Sequence, residues 1–170
     1  MSKAEAAPSE RLQPALLDRL TDDTPDVQVE SRDARVLTKS QLRAAVLRDL
    51  VALMNAIRPG ASENFAAYPE VECSVLNYGM PAFAGETAST LDVNSLEGAI
   101  RTAILRFEPR ILAQTLQVEA IANDDVVGWH NIVSVRIAAQ VWAQPVPLEL
   151  LLRTEVDLET GQVALSELSG

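Results

Sequence analysis

The stretch from residue 148 to 158 constrains this chain most. Leu148, Leu150, Leu152, Thr154, Val156 and Leu158 fall on one face of an extended backbone, and Glu149, Arg153, Glu155 and Asp157 lie mostly on the other. A period of two with charge on one side predicts a strand in an antiparallel sheet with one wet face. Val133, Val135, Ile137, Ala139 and Val141 repeat the pattern, alternating with Ser134, Arg136, Ala138 and Gln140. Leu116, Val118 and Ala120 alternate upstream. Asn123-Asp124-Asp125 and Glu159-Thr160-Gly161 read as turns, the second leading into Val163 and Leu165.

The residues before this meander carry the helical period instead. Leu42, Val46, Leu50, Leu53 and Ile57 step by three or four, which predicts a helix from about Lys39 to Ile57. Thr38 or Ser40 can cap its start, and Arg58-Pro59-Gly60 stops it. Leu96, Ile100, Ala103, Ile104 and Phe107 predict a second helix from about Ser95 to Phe107. Asn94 with Glu97 resembles a capping box, and Pro109 ends the helix. Between the helices, Cys73, Val75 and Asn77 alternate, so residues 72–79 read as a short strand with a buried Cys73. Helices first and an antiparallel meander last predict an α+β domain of two layers, N-terminal helices packed on a C-terminal, mainly antiparallel sheet.

The first 38 residues read differently. Residues 1–10 are small and polar. Leu12, Leu16, Leu17 and Leu20 at helical spacing suggest a short docking helix at about 11–20, and residues 21–38 read as a polar connector. The expected organisation is therefore a flexible lead over 1–38 and one domain over 39–170, which suits a chain of 170 residues.

Composition removes several function classes. Fourteen Lys and Arg face 24 Asp and Glu, and an acidic chain is a poor nucleic-acid binder, because phosphate affinity comes from cations. Residues 39–115 hold half of the cations, whereas residues 116–170 carry two basic against eight acidic side chains. That acidic third suits docking on a basic partner as well as it suits solubility. No apolar run approaches the roughly 20 residues of a membrane helix, so an integral membrane protein is not expected. The start lacks the basic-then-apolar pattern of a secretory signal, and the expected compartment is the cytoplasm.

Catalytic hardware is scarce. His130, the single histidine, sits in a turn beside Trp129, and with the single Cys73 it makes no metal cluster. Phosphate-cradling glycine motifs are absent, so no cofactor is expected. A glycosidase needs two carboxylates about 5–9.5 Å apart. Glu97 and Glu108 on one helix would stand roughly 16 Å apart, and Glu70 and Glu72 have no aromatic groove beside them. The chain offers instead a charged helix end: Arg101, Arg106, Phe107, Glu108, Pro109 and Arg110. It is either an ordinary dipole-compensated helix end or a rigid pivot for a partner.

Three stretches together resemble the TssE family, the baseplate wedge subunits of bacterial type VI secretion systems, within the lysozyme-like wedge proteins of contractile phage tails. They are LRAAVLRDLVALMNAIR at 42–58, YPEVECSVLNYGMP at 68–81 and AIRTAILRFEPRI at 99–111. With RLQPALLDRLTDD near the start and LETGQV near the end, the resemblance covers about 12–166. It implies an assembly role in the cytoplasm, against the inner face of the inner membrane. The implied partners are the wedge subunits TssF and TssG, the sheath subunits TssB and TssC, and other baseplate proteins such as TssK. By motif position, the family's Glu-Pro-Arg role in holding the wedge falls on Glu108, Pro109 and Arg110, with Arg106 and Arg101 beside them. Asn77 and Tyr78 stand in the second signature. The sheath-seeding strands map to about 132–166, including Leu150, Leu152 and Arg153. The alternative carried by the group's label is a peptidoglycan-cleaving, lysozyme-like hydrolase.

Overall fold

A computed structural model describes residues 12, 14–21, 25–26, 37–83, 92–121 and 132–168. Among these, helices α1 (Leu16–Leu20), α2 (Lys39–Asn55), α3 (Pro69–Glu72) and α4 (Val93–Phe107) precede strands β1 (Gln117–Ile121), β2 (Ile132–Val141), β3 (Leu148–Asp157) and β4 (Val163–Glu167). The strands form one antiparallel sheet in the order β1-β2-β3-β4. The α+β arrangement read from the sequence is the one observed.

The alternating faces explain the sheet. In β3, Leu150, Leu152, Thr154 and Val156 are buried and Glu149, Arg153 and Glu155 are exposed. In β2, Val135, Ile137, Ala139 and Val141 are buried. α4 packs over β1, and α2 packs over β3 and β4 and against α4. Leu42, Val46, Leu50 and Leu53 of α2 meet Leu96, Ile100 and Ile104 of α4 above the sheet. On the wet face, Glu119, Arg136 and Arg153 stand in one row across β1, β2 and β3. The two opposed arginines each find a carboxylate: Arg136 pairs with Glu119, and Arg153 with Glu155. Those pairs relieve the like-charge opposition.

The helix ends depart from expectation in detail. Thr38 caps α2: its hydroxyl accepts from the Gln41 amide, and the Gln41 side chain accepts from the Thr38 amide at 2.8 Å. α2 stops at Asn55, before Ile57, because residues 56–58 turn to pair with Met80. The Met80 amide donates to Ala56 O at 2.7 Å and the Arg58 amide to Met80 O at 2.9 Å. Ile57 is consequently 68% exposed and leaves the stripe. α4 is capped by Asp92, whose carboxylate accepts from the Asn94 amide. Glu97 is used elsewhere, since its carboxylate accepts from the Ala120 amide of β1 at 2.7 Å.

The expected strand at 72–79 does not form. Pro69 starts the one-turn helix α3, and Val75–Asn77 makes a 3-10 turn capped by the Ser74 hydroxyl. The apparent alternation there reflects turn geometry, and Cys73 is exposed rather than buried. Leu12 is buried in the core and pairs with Leu37, while Leu16, Leu17 and Leu20 of α1 are exposed. The expected turn at 123–125 and His130 lie outside the described residues.

Candidate assembly interface

The Glu108-Pro109-Arg110 motif sits where α4 ends and the chain turns into the sheet. Pro109 cannot continue the helix, so the next residues run along the end of β2. There Trp142 N–H donates to Arg110 O at 2.7 Å, and Leu112 N–H donates to Gln140 O at 2.8 Å. The side chains lock. Arg110 donates through Nε to Glu108 Oε1 at 2.7 Å and through Nη2 to Glu108 Oε2 at 2.5 Å, and its amide also donates to Oε1 at 3.1 Å. Nη2 reaches Asp49 of α2 at 2.5 Å as well. Asp49 in turn accepts from Arg48, and Arg48 pairs with Asp18 of α1 at 2.6 Å. One chain of alternating charge therefore joins α1, α2 and the end of α4.

Burial makes this lock strong. The Glu108 side chain is 4% exposed and that of Arg110 21%. The hydrogen bonds to Glu108 push the Arg110 guanidinium further above its ordinary pKa, against the effect of its burial. Arg110 Nη1 is buried and has no hydrogen-bond partner among the described residues.

The 68–81 signature forms a second cluster beside the first. Asn77 is buried: its Oδ1 accepts from the Gly60 amide at 2.8 Å and its Nδ2 donates to Glu72 O at 3.0 Å. Arg106 of α4 donates to the same carbonyl at 2.8 Å. The Tyr78 ring meets Phe107 edge-on, with centroids 5.1 Å apart. Burial holds the Tyr78 hydroxyl above its usual pKa, helped by the charges of Asp49 and Glu108. Gly79 has φ near +120°, and a Cβ there would lie 2.3 Å from Ala56 O, so glycine is required. Asn77, Tyr78, Gly79 and the buried Met80 are thus consumed by the fold. Val75, Leu76 and Tyr68 stay exposed at 78%, 67% and 65%.

A family model described as Baseplate wedge protein gp25 matches residues 40–146. The chain belongs to this baseplate wedge family. No curated protein and no solved structure gives a significant match. The matched segment of this wedge protein holds the charge lock, the signature turn and β1 and β2, whereas β3 and β4 follow it.

The other residues singled out from the sequence do not gather at one place in the wedge protein. Arg101 lies on the far side of α4, where its Nη1 donates to Leu116 O at 2.5 Å. Together with Glu97, four residues earlier, it occupies the outer edge of β1. Leu150 and Leu152 are buried in the core, and Arg153 is on the wet face of the sheet. Asp49 was not singled out, although it stands in the Arg-Asp-Leu run of 48–50; its partner Arg110 is 61 residues away, and a sequence gives no sign of that pairing. Asn55 was missed too. Its side-chain amide accepts from the Val163 amide at 3.0 Å and donates to Val163 O at 2.9 Å, as a neighbouring strand would. Among the described residues no group of three or more His, Cys, Asp and Glu side chains could hold a metal ion. No described helix is long and apolar enough to cross a membrane.

Proposed function

We propose that this wedge protein is the TssE-type subunit of a type VI secretion baseplate and works by assembly, without catalysis. It joins TssF and TssG through the Glu108–Arg110 region, in the cytoplasm at the inner face of the inner membrane. The observation that carries this reading is the lock itself: Glu108 and Asp49 hold the Arg110 guanidinium, which fixes the helix end, while the Arg110 side chain stays 21% exposed. A guanidinium held by two carboxylates presents its exposed part in a fixed direction. Asn77, Tyr78 and Arg106 brace the same end of α4. Glu97 and Glu108 are committed to the Ala120 amide and to Arg110, which speaks against a lysozyme-like carboxylate pair. In this reading residues 1–38 are a lead whose α1 presents Leu16, Leu17 and Leu20 for docking, and 39–170 is the wedge domain.

Sheath seeding with TssB and TssC falls on β4. Glu97 and Arg101 cover the outer edge of β1, whereas Asn55 covers β4 only at Val163. Because Leu168 N–H points to β3 and backbone directions alternate along a strand, Leu165 and Glu167 point outward like Val163. That short edge suits strand addition by a sheath subunit, with Arg153 on the adjoining wet face. The test is capture of the tagged protein from its native cells, followed by mass spectrometry, in wild type and in Glu167→Pro. Recovery of wedge and sheath subunits by the wild type, with sheath subunits alone lost from the variant, is the expected result. Proline removes an outward N–H there together with the Glu167 carboxylate that pairs with Arg43 at 3.2 Å, and Glu167→Ala, which loses the ion pair alone, is the control. Recovery of no baseplate subunit by the wild type would end the reading, and undiminished sheath recovery by the variant would end the β4 assignment.

A further inference from the structure

A groove of about 260 Å³ runs between α4 and the 77–81 segment, and neither Glu108 nor Arg110 lines it. Two guanidinium groups line it, Arg58 and Arg106, and among the described residues lining it there is no carboxylate. That is an unbalanced local charge in a chain of net −10. Arg106 donates through one nitrogen to Glu72 O. Arg58 Nε is buried and has no hydrogen-bond partner among the described residues. Arg58 as a whole is only partly buried and lines the groove, so its charge is open to an occupant.

The opposite wall is built from small side chains of α4: Ser95, Gly98, Ala99 and Thr102. Gly98 is the informative one. A glycine inside a helix costs about 1 kcal/mol relative to alanine, yet a Cβ at Gly98 would meet nothing within 4 Å among the described residues. Packing among those residues therefore does not require it. The gap it leaves lets another backbone come close to the helix.

We propose that this groove seats an acidic segment of a neighbouring baseplate subunit, with a carboxylate accepting from Arg58 and Arg106 while the segment's backbone lies against Gly98. Charge complementarity selects the occupant: two guanidinium groups, with no carboxylate among the described residues lining the groove, call for a planar anion with two oxygens. The proposal rests on the baseplate reading above, and its test separates the two.

Arg58→Met and Gly98→Leu are each compared with the wild type, with Arg136→Met on the wet face of the sheet as control. The readouts are thermal unfolding and recovery of co-expressed TssF and TssG on the tagged protein. Arg58→Met removes an unsatisfied donor and Gly98→Leu a poor helix former, so both variants are expected to melt at or above the wild-type temperature. Both are expected to recover at least tenfold less TssF and TssG, and the control as much as wild type. Wild-type recovery by both variants overturns the proposal and leaves the baseplate reading standing. A wild type that recovers neither subunit ends both. A fall in melting temperature for Arg58→Met would mean that the chain itself already supplies an acceptor for Arg58, and also overturns it.

Discussion

Removing Arg110 should destabilise the protein far more than an ordinary surface substitution. In Arg110→Met, Glu108 keeps a side chain only 4% exposed and loses both guanidinium contacts, at 2.7 and 2.5 Å. Breaking a buried pair by deleting one partner costs about 3–5 kcal/mol, because the other charge is left without compensation. Two features place this site at the lower end. Arg110 is 21% exposed, and Glu108 still accepts from the residue 110 amide at 3.1 Å. The expected loss is therefore about 3 kcal/mol, or a fall in melting temperature of about 6–12 °C for a domain of this size. Glu108→Gln in the same background removes the stranded charge, so the double variant should recover roughly 2 kcal/mol of that loss. Urea unfolding followed by circular dichroism, run on the wild type, both single variants and the double, measures the coupling directly. A loss below about 1 kcal/mol for Arg110→Met, or strictly additive single changes, would refute the claim that the lock is a buried ion pair. The double variant also serves the functional question: if it folds stably and fails to recover TssF and TssG, the motif docks as well as locks.

Two further outcomes are expected. Thr154 is fully buried and its hydroxyl has no partner, so Thr154→Val should stabilise by about 1 kcal/mol, read from the urea midpoint; a loss would mean that the hydroxyl is satisfied. The hydrogen bond from Arg48 is the chief cause holding the Asp18 carboxyl below its usual range. The stability it contributes is thus present above the unfolded value of about 3.9 and is lost as pH falls through the lower folded value. Arg48 is 48% exposed, so Asp18→Asn should cost less than about 1 kcal/mol at pH 7, with the difference shrinking in melts as pH falls below about 3.9; a pH-independent difference would refute the pairing.

The period-two faces of residues 132–158 and the helical stripes at 42–53 and 96–107 were legible because burial on one side leaves a record at every second or every third to fourth position. They determined the two layers, the antiparallel sheet and its wet face. Glu108, Pro109 and Arg110 were legible as a motif, and Pro109 as a helix stop. The structure alone decided what these residues touch. Asp49 reaches Arg110 across 61 positions, and Asn55 reaches Val163 across 108. Such contacts follow from how α2 lies over the sheet, and no local spacing encodes it. The 72–79 segment was misread for the same reason. Its residues form two short turns in which only Asn77 of the alternating three is buried, holding Gly60 and Glu72, while Gly79 clears Ala56, so the alternation records no pleat. A sequence determines which face of an element avoids water, because that preference is local and repeated. Which donor meets which acceptor is settled only when the elements pack, since each such pair is made once and its partners are brought together by everything between them.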